Sequence, residues 1–287
     1  MRKFKQQFLA GPYLIWIIGF ILLPLIMILY YAFTNGDGSF TLSYITAIAD
    51  ETNRKAMGLS LRLGIICTIV CLVLSYPLAM ILNNMKIKNQ GLVVFIFMLP
   101  MWMNFLLRTY ACMSILETTG LLNRLFPAIG LIDLVNHICG TELQYFPMIN
   151  TQGAVVLGMV YNYLPFMILP IYSVIVKLDR NLIEAARDLG ANSVQVFRRV
   201  ILPLSLPGVL SGITMVFVPS VSTFAISKML GGGTEMLLGD LIEQQYMGGA
   251  YNPYLGAAIS LVMMVIVVIC MVVMNRFGEG EEQAVMM

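Results

Sequence analysis

The stretch that decides the fold is EAARDLGANSVQVFRRVILPLSLPG, which runs from Glu184 to Gly208. It lies in a chain of 287 residues that is 59% apolar and 11% charged, whereas soluble domains are roughly 25% charged. Eight charged residues lie between Lys177 and Arg199. Placing them in hydrocarbon would cost about 3 kcal/mol each. The stretch is therefore a patterned polar interruption in a membrane protein.

Charge-free runs define the rest of the chain. Six runs of 19 or more residues lack Asp, Glu, Lys and Arg, and each can hold the ~20 residues of a membrane-spanning helix. The sequence predicts an all-α integral membrane protein, with one domain over residues 1–287. The predicted spans lie within about 12–34, 63–85, 89–107, 152–176, 204–227 and 254–275. The first follows a basic segment but is too long for a cleaved signal, so we expect it to remain.

The distribution of basic residues predicts the orientation. Eleven of the seventeen Lys and Arg residues fall in the N-terminus, the two inner loops and the C-terminal tail if the chain starts inside. They are Arg2, Lys3, Lys5, Lys86, Lys88, Lys177, Arg180, Arg187, Arg198, Arg199 and Arg276. Because basic loops stay in the cytoplasm, both termini are predicted to be cytoplasmic.

Residues 178–203 have the pattern of two short helices joined at a glycine. Asn181 followed by Glu184 is typical of a capped helix start, and Gly190 stands where a helix places its first left-handed residue. Asn192 is expected to cap the second helix, and Pro203 to close the unit. The predicted apolar positions are Leu178, Leu182, Ala185, Ala186 and Leu189, then Val194, Phe197 and Val200 or Ile201. An interfacial hairpin and a docking element both fit this pattern.

The same residues resemble a family signature. The order EAA, three residues, glycine, nine residues and then I-x-L-P is the "EAA" signature of ABC-importer permeases, and here Val200 replaces the isoleucine. Longer stretches resemble the B-type permease of spermidine/putrescine importers: LPMWMNFLLRTYACMSILETTGLLN (99–123), YNYLPFMILPIYSVIVKLDRNLIEAARDLGA (161–191) and GGGTEMLLGDLIEQQY (231–246).

The resemblance implies a type I (MetI-like) permease fold in a bacterial inner membrane and no catalytic residues in this chain. Its partners would be a second related permease, two copies of a cytoplasmic ABC ATPase and an extracytoplasmic polyamine-binding protein. The chain lacks a G-x-x-x-x-G-K-[ST] loop, so ATP and Mg would be bound by the ATPase rather than by a cofactor site here. The implied ATPase-coupling residues are Glu184, Ala185, Ala186, Gly190, Leu202 and Pro203.

A polyamine is an extended polycation, which favours carboxylates and aromatic faces along its path. The candidate path residues are Trp102, Asn104, Arg108, Tyr110, Glu117, Tyr161, Tyr163, Phe166 and Tyr172. Interfacial aromatic belts explain such aromatic residues equally well, and an Arg108–Glu117 ion pair is the alternative to a substrate gate. Lys228 departs from the pattern, because a cation there repels the expected cargo.

Other functions remain open at this point. The same type of permease carries thiamine, ferric iron or phosphonates in related branches. A secondary transporter needs ionisable groups at mid-membrane, and none is evident in the six runs. An intramembrane enzyme needs a nucleophile or metal constellation, yet His137 is the single histidine and neither HExxH nor GxSxG occurs. The five cysteines show no ligand-like spacing, so no metal site is predicted.

Overall fold

The computed structural model describes residues 11–85, 90–140, 142, 144–233 and 236–285. Within these residues the chain is helical, and its one extended pairing is an isolated antiparallel bridge between Thr34 and Phe40. The all-α prediction is therefore confirmed. Five of the basic residues used to predict the orientation lie outside the described residues: Arg2, Lys3, Lys5, Lys86 and Lys88.

The helices follow one another through short connections. In chain order they are α1 (Gly11–Ile17), α2 (Leu23–Phe33), α3 (Ser43–Thr46), α4 (Glu51–Asn84), α5 (Gln90–Trp102), α6 (Phe105–Leu116), α7 (Leu121–Ala128), α8 (Leu131–Cys139), α9 (Gln152–Ile175), α10 (Arg180–Asp188), α11 (Ser193–Val196), α12 (Leu202–Ser222), α13 (Ala225–Leu230), α14 (Leu238–Met247) and α15 (Pro253–Val285). Two π-helical turns, Ile18–Leu22 and Phe197–Ile201, join α1 to α2 and α11 to α12.

Five helical segments are long and apolar enough to cross a membrane, and a bent pair makes up to six. The straight segments are Tyr13–Phe33, Glu51–Asn84, Gln152–Ile175, Ser193–Ser222 and Pro253–Val273. They correspond to five of the six predicted spans.

The third predicted span, 89–107, is not one helix. The chain bends by 97° between the segments Val94–Trp102 and Phe105–Ala128. Pro100 lacks an N–H group for the helix ladder, and the Asn104 side chain accepts a hydrogen bond from the Leu106 N–H at 2.8 Å. Asn104 therefore starts a new helix at a point that charge counting does not detect.

The fifth predicted span is also shifted. Pro203 does not close the hairpin, because residues Ser193–Ser222 form one continuous helical segment. The π turn accommodates an extra residue just before Pro203, so the missing N–H is tolerated. The helix then ends at Ser222 rather than 227, because Thr223 is extended. The short helix α13 follows.

The described residues form two compact units. The first comprises the residues up to Ala56 together with Leu241–Val268. Within it, the ring of Tyr254 on α15 lies 5.4 Å from that of Tyr31 on α2 and 5.8 Å from that of Tyr44 on α3. This aromatic cluster joins the end of the first span to the start of the last.

The second unit comprises Met57–Asp240 and the chain from Ile269 onward. Its core lies where α4, α9 and α12 meet. Gly208 and Gly212 lie four residues apart on α12 and allow α9 to approach closely. A Cβ atom at Gly208 would lie 2.7 Å from the carbonyl oxygen of Pro170, and one at Gly212 would lie 2.7 Å from the Met167 sulfur. The fully buried core residues include Leu63, Cys67, Cys71, Met159, Met167, Ile171 and Val216.

Candidate functional site

The first helix of the hairpin ends in a Schellman motif centred on Gly190. The Gly190 N–H donates to the Arg187 carbonyl at 2.8 Å, and the Ala191 N–H donates to the Ala186 carbonyl at 3.0 Å. Gly190 has φ of +84°, a conformation that residues with a Cβ atom rarely adopt. The sequence prediction for this position is confirmed, and the glycine fixes the angle between the two helices.

Each helix of the hairpin starts at a capping side chain, and the sequence predicted one of the two caps correctly. Asn192 and Gln195 form a reciprocal capping box, with both hydrogen bonds at 2.9 Å. The prediction that Asn181 caps α10 is wrong: Asp179 is the cap and accepts from the Asn181 N–H at 3.0 Å. The turn that ends α9 leaves Asp179 as the first extended residue, so the helix starts earlier.

The hairpin presents its apolar residues outward. Leu189 is 90% exposed and Val194 is 64% exposed, and Leu182 and Ala185 are also exposed. Leu182, Ala185 and Leu189, which belong to the predicted apolar face of the first helix, therefore do not pack on the spans. The contacts with the bundle come instead from the second helix and the π turn, where Val196 is buried.

The charged face of α10 points toward the ends of the spans. Arg180, Glu184 and Arg187, at positions i, i+4 and i+7, line a cavity of about 640 Å³. Its other walls come from the C-terminal ends of α4 and α9 and from the π turn. Near the π turn, the Phe197 ring packs edge-on against Tyr76 at 5.4 Å, and Tyr76 is hydrogen-bonded to Ser205 at 2.6 Å. The hairpin is thus anchored at its second helix and separated from the spans at its first.

A second cavity, of about 710 Å³, lies beside α6, at the opposite end of α9 from the hairpin. Tyr110 and Glu117 line it from α6, and Lys228 lines it from α13. Tyr110 and Glu117 are seven residues apart and share one face of the helix. This cavity brings together two of the predicted path residues and the basic residue that departs from the pattern.

Arg108 lies on the opposite face of α6, since it precedes Glu117 by nine positions, which is two and a half helical turns. It is 5% exposed and forms no ion pair within the described residues. Its Nη1 donates to the Asn162 backbone carbonyl at 3.5 Å, and its Nε has no partner. An Arg108–Glu117 ion pair is therefore absent from this structure, and Asn162 is a neighbour that the sequence did not indicate.

The other predicted path residues do not gather at one place. Trp102 is 74% exposed and packs edge-on against Phe95, while Asn104 caps α6. Tyr163 is buried, and its hydroxyl donates to the Pro219 carbonyl at 3.4 Å. Tyr161 is exposed on α9, and Phe166 and Tyr172 are half-buried on the same helix. Their place in a path stays a prediction. No cluster of three or more potential metal ligands occurs among the described residues.

Comparison with known protein families identifies the family to which this chain belongs. The family model described as "binding-protein-dependent transport system inner membrane component" matches residues 8–279. The chain belongs to this family of importer permeases. This match confirms the permease fold that the sequence resemblance implied. It also confirms that the chain belongs to a family of multi-pass inner-membrane proteins.

Similar permeases are known from several bacteria. The spermidine/putrescine transport system permease protein PotB of Haemophilus influenzae is 36% identical over 270 residues, which cover 92% of this chain and 91% of that protein. PotB of Escherichia coli is 36% identical over 267 residues, covering 91% and 93%. The E. coli inner membrane ABC transporter permease protein YdcU is 28% identical, covering 83% and 76%.

Solved structures of permeases share the fold. A bacterial ABC transporter that imports alginate gives a TM-score of 0.79 at 17% identity, covering 97% of this chain and 96% of that chain. The alginate transporter in complex with its periplasmic protein gives 0.78 at 18% identity, covering 96% and 94%. The MetNI methionine transporter, in inward-facing conformations, gives 0.53 at 20% identity, covering 79% and 94%. At these identities the similarity establishes the fold alone.

Proposed function

We propose that this permease forms, with a second related permease, the translocation path for polyamines in an ABC importer driven by a separate ATPase. The relatives named as spermidine/putrescine permeases, similar over nine-tenths of their length, carry the proposal of cargo. The chain itself performs no catalysis in this scheme. ATP and Mg are bound by two copies of the partner ATPase, and a polyamine-binding protein delivers the cargo from outside.

The chemistry of the cavity beside α6 supports a cationic cargo. The Glu117 carboxylate attracts an ammonium group, and the Tyr110 ring on the same face of α6 offers a surface for cation–π contact. Lys228 lines the same cavity.

The exposed apolar surface of the hairpin supports a protein partner on the cytoplasmic side. Leu182, Leu189 and Val194 are large apolar side chains presented by a hairpin whose two helices are both capped at their starts. Burying each in a groove of the ATPase would contribute about 1.5–3 kcal/mol. In this proposal both termini are also cytoplasmic, which is the orientation that the positive-inside rule predicts. Closure of the ATPase dimer would then move the hairpin and, through the continuous Ser193–Ser222 helix, the spans.

Uptake of labelled spermidine and putrescine, with and without this gene in its host, tests the proposal. We expect energy-dependent uptake that is lost on deletion and restored by the wild-type gene. Unchanged uptake in a host without a second polyamine system would contradict the polyamine cargo. Thiamine, ferric iron and phosphonates are the solutes to assay in that event.

The variant Glu184→Arg tests coupling in the same assay. It places three guanidinium groups at positions i, i+4 and i+7 along the cavity face of α10, between Arg180 and Arg187, and like charges at this spacing repel. We expect it to insert in the membrane but to restore less than a tenth of wild-type uptake. Asp188→Arg makes the same charge change on the same helix, outside the cavity, and should restore most of it. Equal uptake by the two variants would contradict a coupling role for Glu184.

A further inference from the structure

The charged face of α10 has no ionic partner among the described residues. Arg180, Glu184 and Arg187 are the charged residues that line the cavity of about 640 Å³ between the hairpin and the ends of the spans, which we call the hairpin cavity. Neither guanidinium group forms an ion pair or a hydrogen bond with another described residue. The two arginines outnumber the one glutamate, so this wall of the cavity carries a net positive charge.

The facing wall supplies amides and apolar side chains. Asn83 and Asn84, at the end of α4, line the cavity, and their side-chain amides form no hydrogen bond within the described part of the chain. Ile175 and Val176, at the end of α9, line it as well, and Val176 is 46% exposed. The hairpin cavity therefore has a basic, polar part beside α10 and an apolar part beside the spans. Its volume is in the range of ligand-binding sites.

The hairpin cavity lies where the spans end. The helix α4 ends at Asn84 and α9 ends at Ile175, and both helices are long and apolar enough to cross a membrane. Lys177 is the first charged residue after α9. Because the lipid headgroups directly flank the hydrocarbon core, the ends of these helices place the cavity at the level of the headgroups.

A ligand that fits this cavity has a negatively charged end and an apolar end. Guanidinium groups bind phosphate oxygens through charge-assisted hydrogen bonds, and the amide groups of Asn83 and Asn84 can donate to the same oxygens. Glu184 opposes the phosphate and weakens its binding, but the arginines on either side of it outweigh one carboxylate. Basic pockets at the cytoplasmic ends of membrane helices are suited to anionic lipid headgroups.

We propose that the hairpin cavity binds an anionic phospholipid, whose phosphate contacts Arg180 and Arg187 and whose acyl chains lie along the ends of α4 and α9. The bound lipid connects the first helix of the hairpin to the spans, which the chain itself contacts through the second helix and the π turn. The inference rests on the proposed function for the cytoplasmic position of the hairpin. The ATPase would bind the outward apolar side chains of α10, so lipid and ATPase can be bound together.

The test is lipid binding by the complete complex of this chain, its partner permease and the ATPase, purified in detergent. The complex is titrated separately with phosphatidylglycerol and phosphatidylcholine, and native mass spectrometry counts the lipids retained. A basic residue near an anionic lipid contributes about a fivefold gain in affinity. We therefore expect the double variant Arg180→Gln, Arg187→Gln to lose one tightly bound phosphatidylglycerol per complex and to keep its phosphatidylcholine. Unchanged retention of phosphatidylglycerol would overturn the proposal.

The double variant Arg198→Gln, Arg199→Gln is the matched control. It makes the same change of charge in the adjacent π turn, with two exposed arginines that do not line the cavity. It should retain phosphatidylglycerol as the wild type does. Equal losses in the two double variants would contradict a site in the cavity, because the general surface charge would then explain the binding.

A variant with the opposite expected effect covers the case in which the arginine variants fail to assemble. Glu184→Gln removes the charge that opposes the phosphate, so we expect it to tighten phosphatidylglycerol binding about fivefold. A loss of protein structure would not produce such a gain. Affinity that is unchanged or lower in Glu184→Gln would contradict the placement of the phosphate beside α10.

Competition with inorganic phosphate distinguishes a lipid from a soluble anion. Millimolar phosphate should leave the phosphatidylglycerol bound, because the apolar ends of α4 and α9 also hold the acyl chains. Displacement of the lipid by phosphate would overturn the lipid as the ligand of this cavity.

The proposed function and the lipid site fail in different ways. Polyamine uptake absent from the wild-type complex would contradict the cargo, whatever lipid is bound. Normal polyamine uptake, together with equal phosphatidylglycerol binding by the wild type and the Arg180→Gln, Arg187→Gln variant, would contradict the lipid site alone.

Discussion

Replacing Gly190 with proline is expected to abolish ATP-driven uptake and the association of the ATPase, while the spans still insert. Proline fixes φ near −65°, whereas Gly190 has φ of +84° and donates its N–H to the Arg187 carbonyl. Loss of both features costs about 3 kcal/mol, which lowers the population of the native hairpin by roughly 100-fold. Copurification of the ATPase with the permease, and uptake in the deletion strain, measure the effect.

Two controls separate hairpin geometry from general damage. Gly190→Ala keeps the N–H and adds one methyl group in the left-handed region, at about 1–2 kcal/mol, so it should give an intermediate loss. Gly38→Pro creates the same conflict at a glycine with φ of +74°, but in a loop of the first compact unit. It should leave ATPase association unchanged. Full association of Gly190→Pro would show that the Schellman motif is not required for docking.

The second large effect is expected from Gly208→Leu. A Cβ atom added at Gly208 would lie 2.7 Å from the Pro170 carbonyl oxygen and 2.9 Å from the Val174 side chain. The oxygen is backbone, so α9 and α12 must separate to admit the side chain. Overpacking costs about 1–3 kcal/mol or more. For a chain of this size, 3 kcal/mol corresponds to roughly 6–12 °C in Tm.

Thermal unfolding of the purified permease complex in detergent measures this change. Gly58→Leu is the matched control, because Gly58 is exposed on α4 and nothing lies within 4 Å of an added Cβ atom. Its Tm should stay close to the wild type. A Gly208→Leu complex as stable as Gly58→Leu would mean that the close contact between α9 and α12 is not needed for stability.

The sequence indicated the hairpin correctly because its signals are local. The glycine that ends the first helix, Gly190, and the asparagine that caps the second, Asn192, depend on residues only a few positions apart. The start of α10 was misplaced for a related reason. Asp179 and Asn181 are both good caps, and the choice between them depends on where α9 ends, which is decided by packing.

The bend between α5 and α6 shows the limit of counting charges. Residues 89–107 form one uncharged run, yet the chain turns by 97° within it. Pro100 and Asn104 are the signals that mark the break, but prolines inside other spans, such as Pro165 and Pro170 in α9, are tolerated without one. Neighbouring helices decide which of these sites bends, because they supply partners for the freed backbone groups.

The sequence by itself determined the class of the protein, the number of apolar segments and the presence of a helical hairpin, since hydropathy and capping act over short distances along the chain. Tertiary structure alone decided which side chains meet. It separated Arg108 from Glu117, placed Arg108 beside Asn162, and brought Lys228 to the cavity of Tyr110 and Glu117. These contacts join helices far apart in sequence, and hydropathy and capping, which act locally, do not specify them.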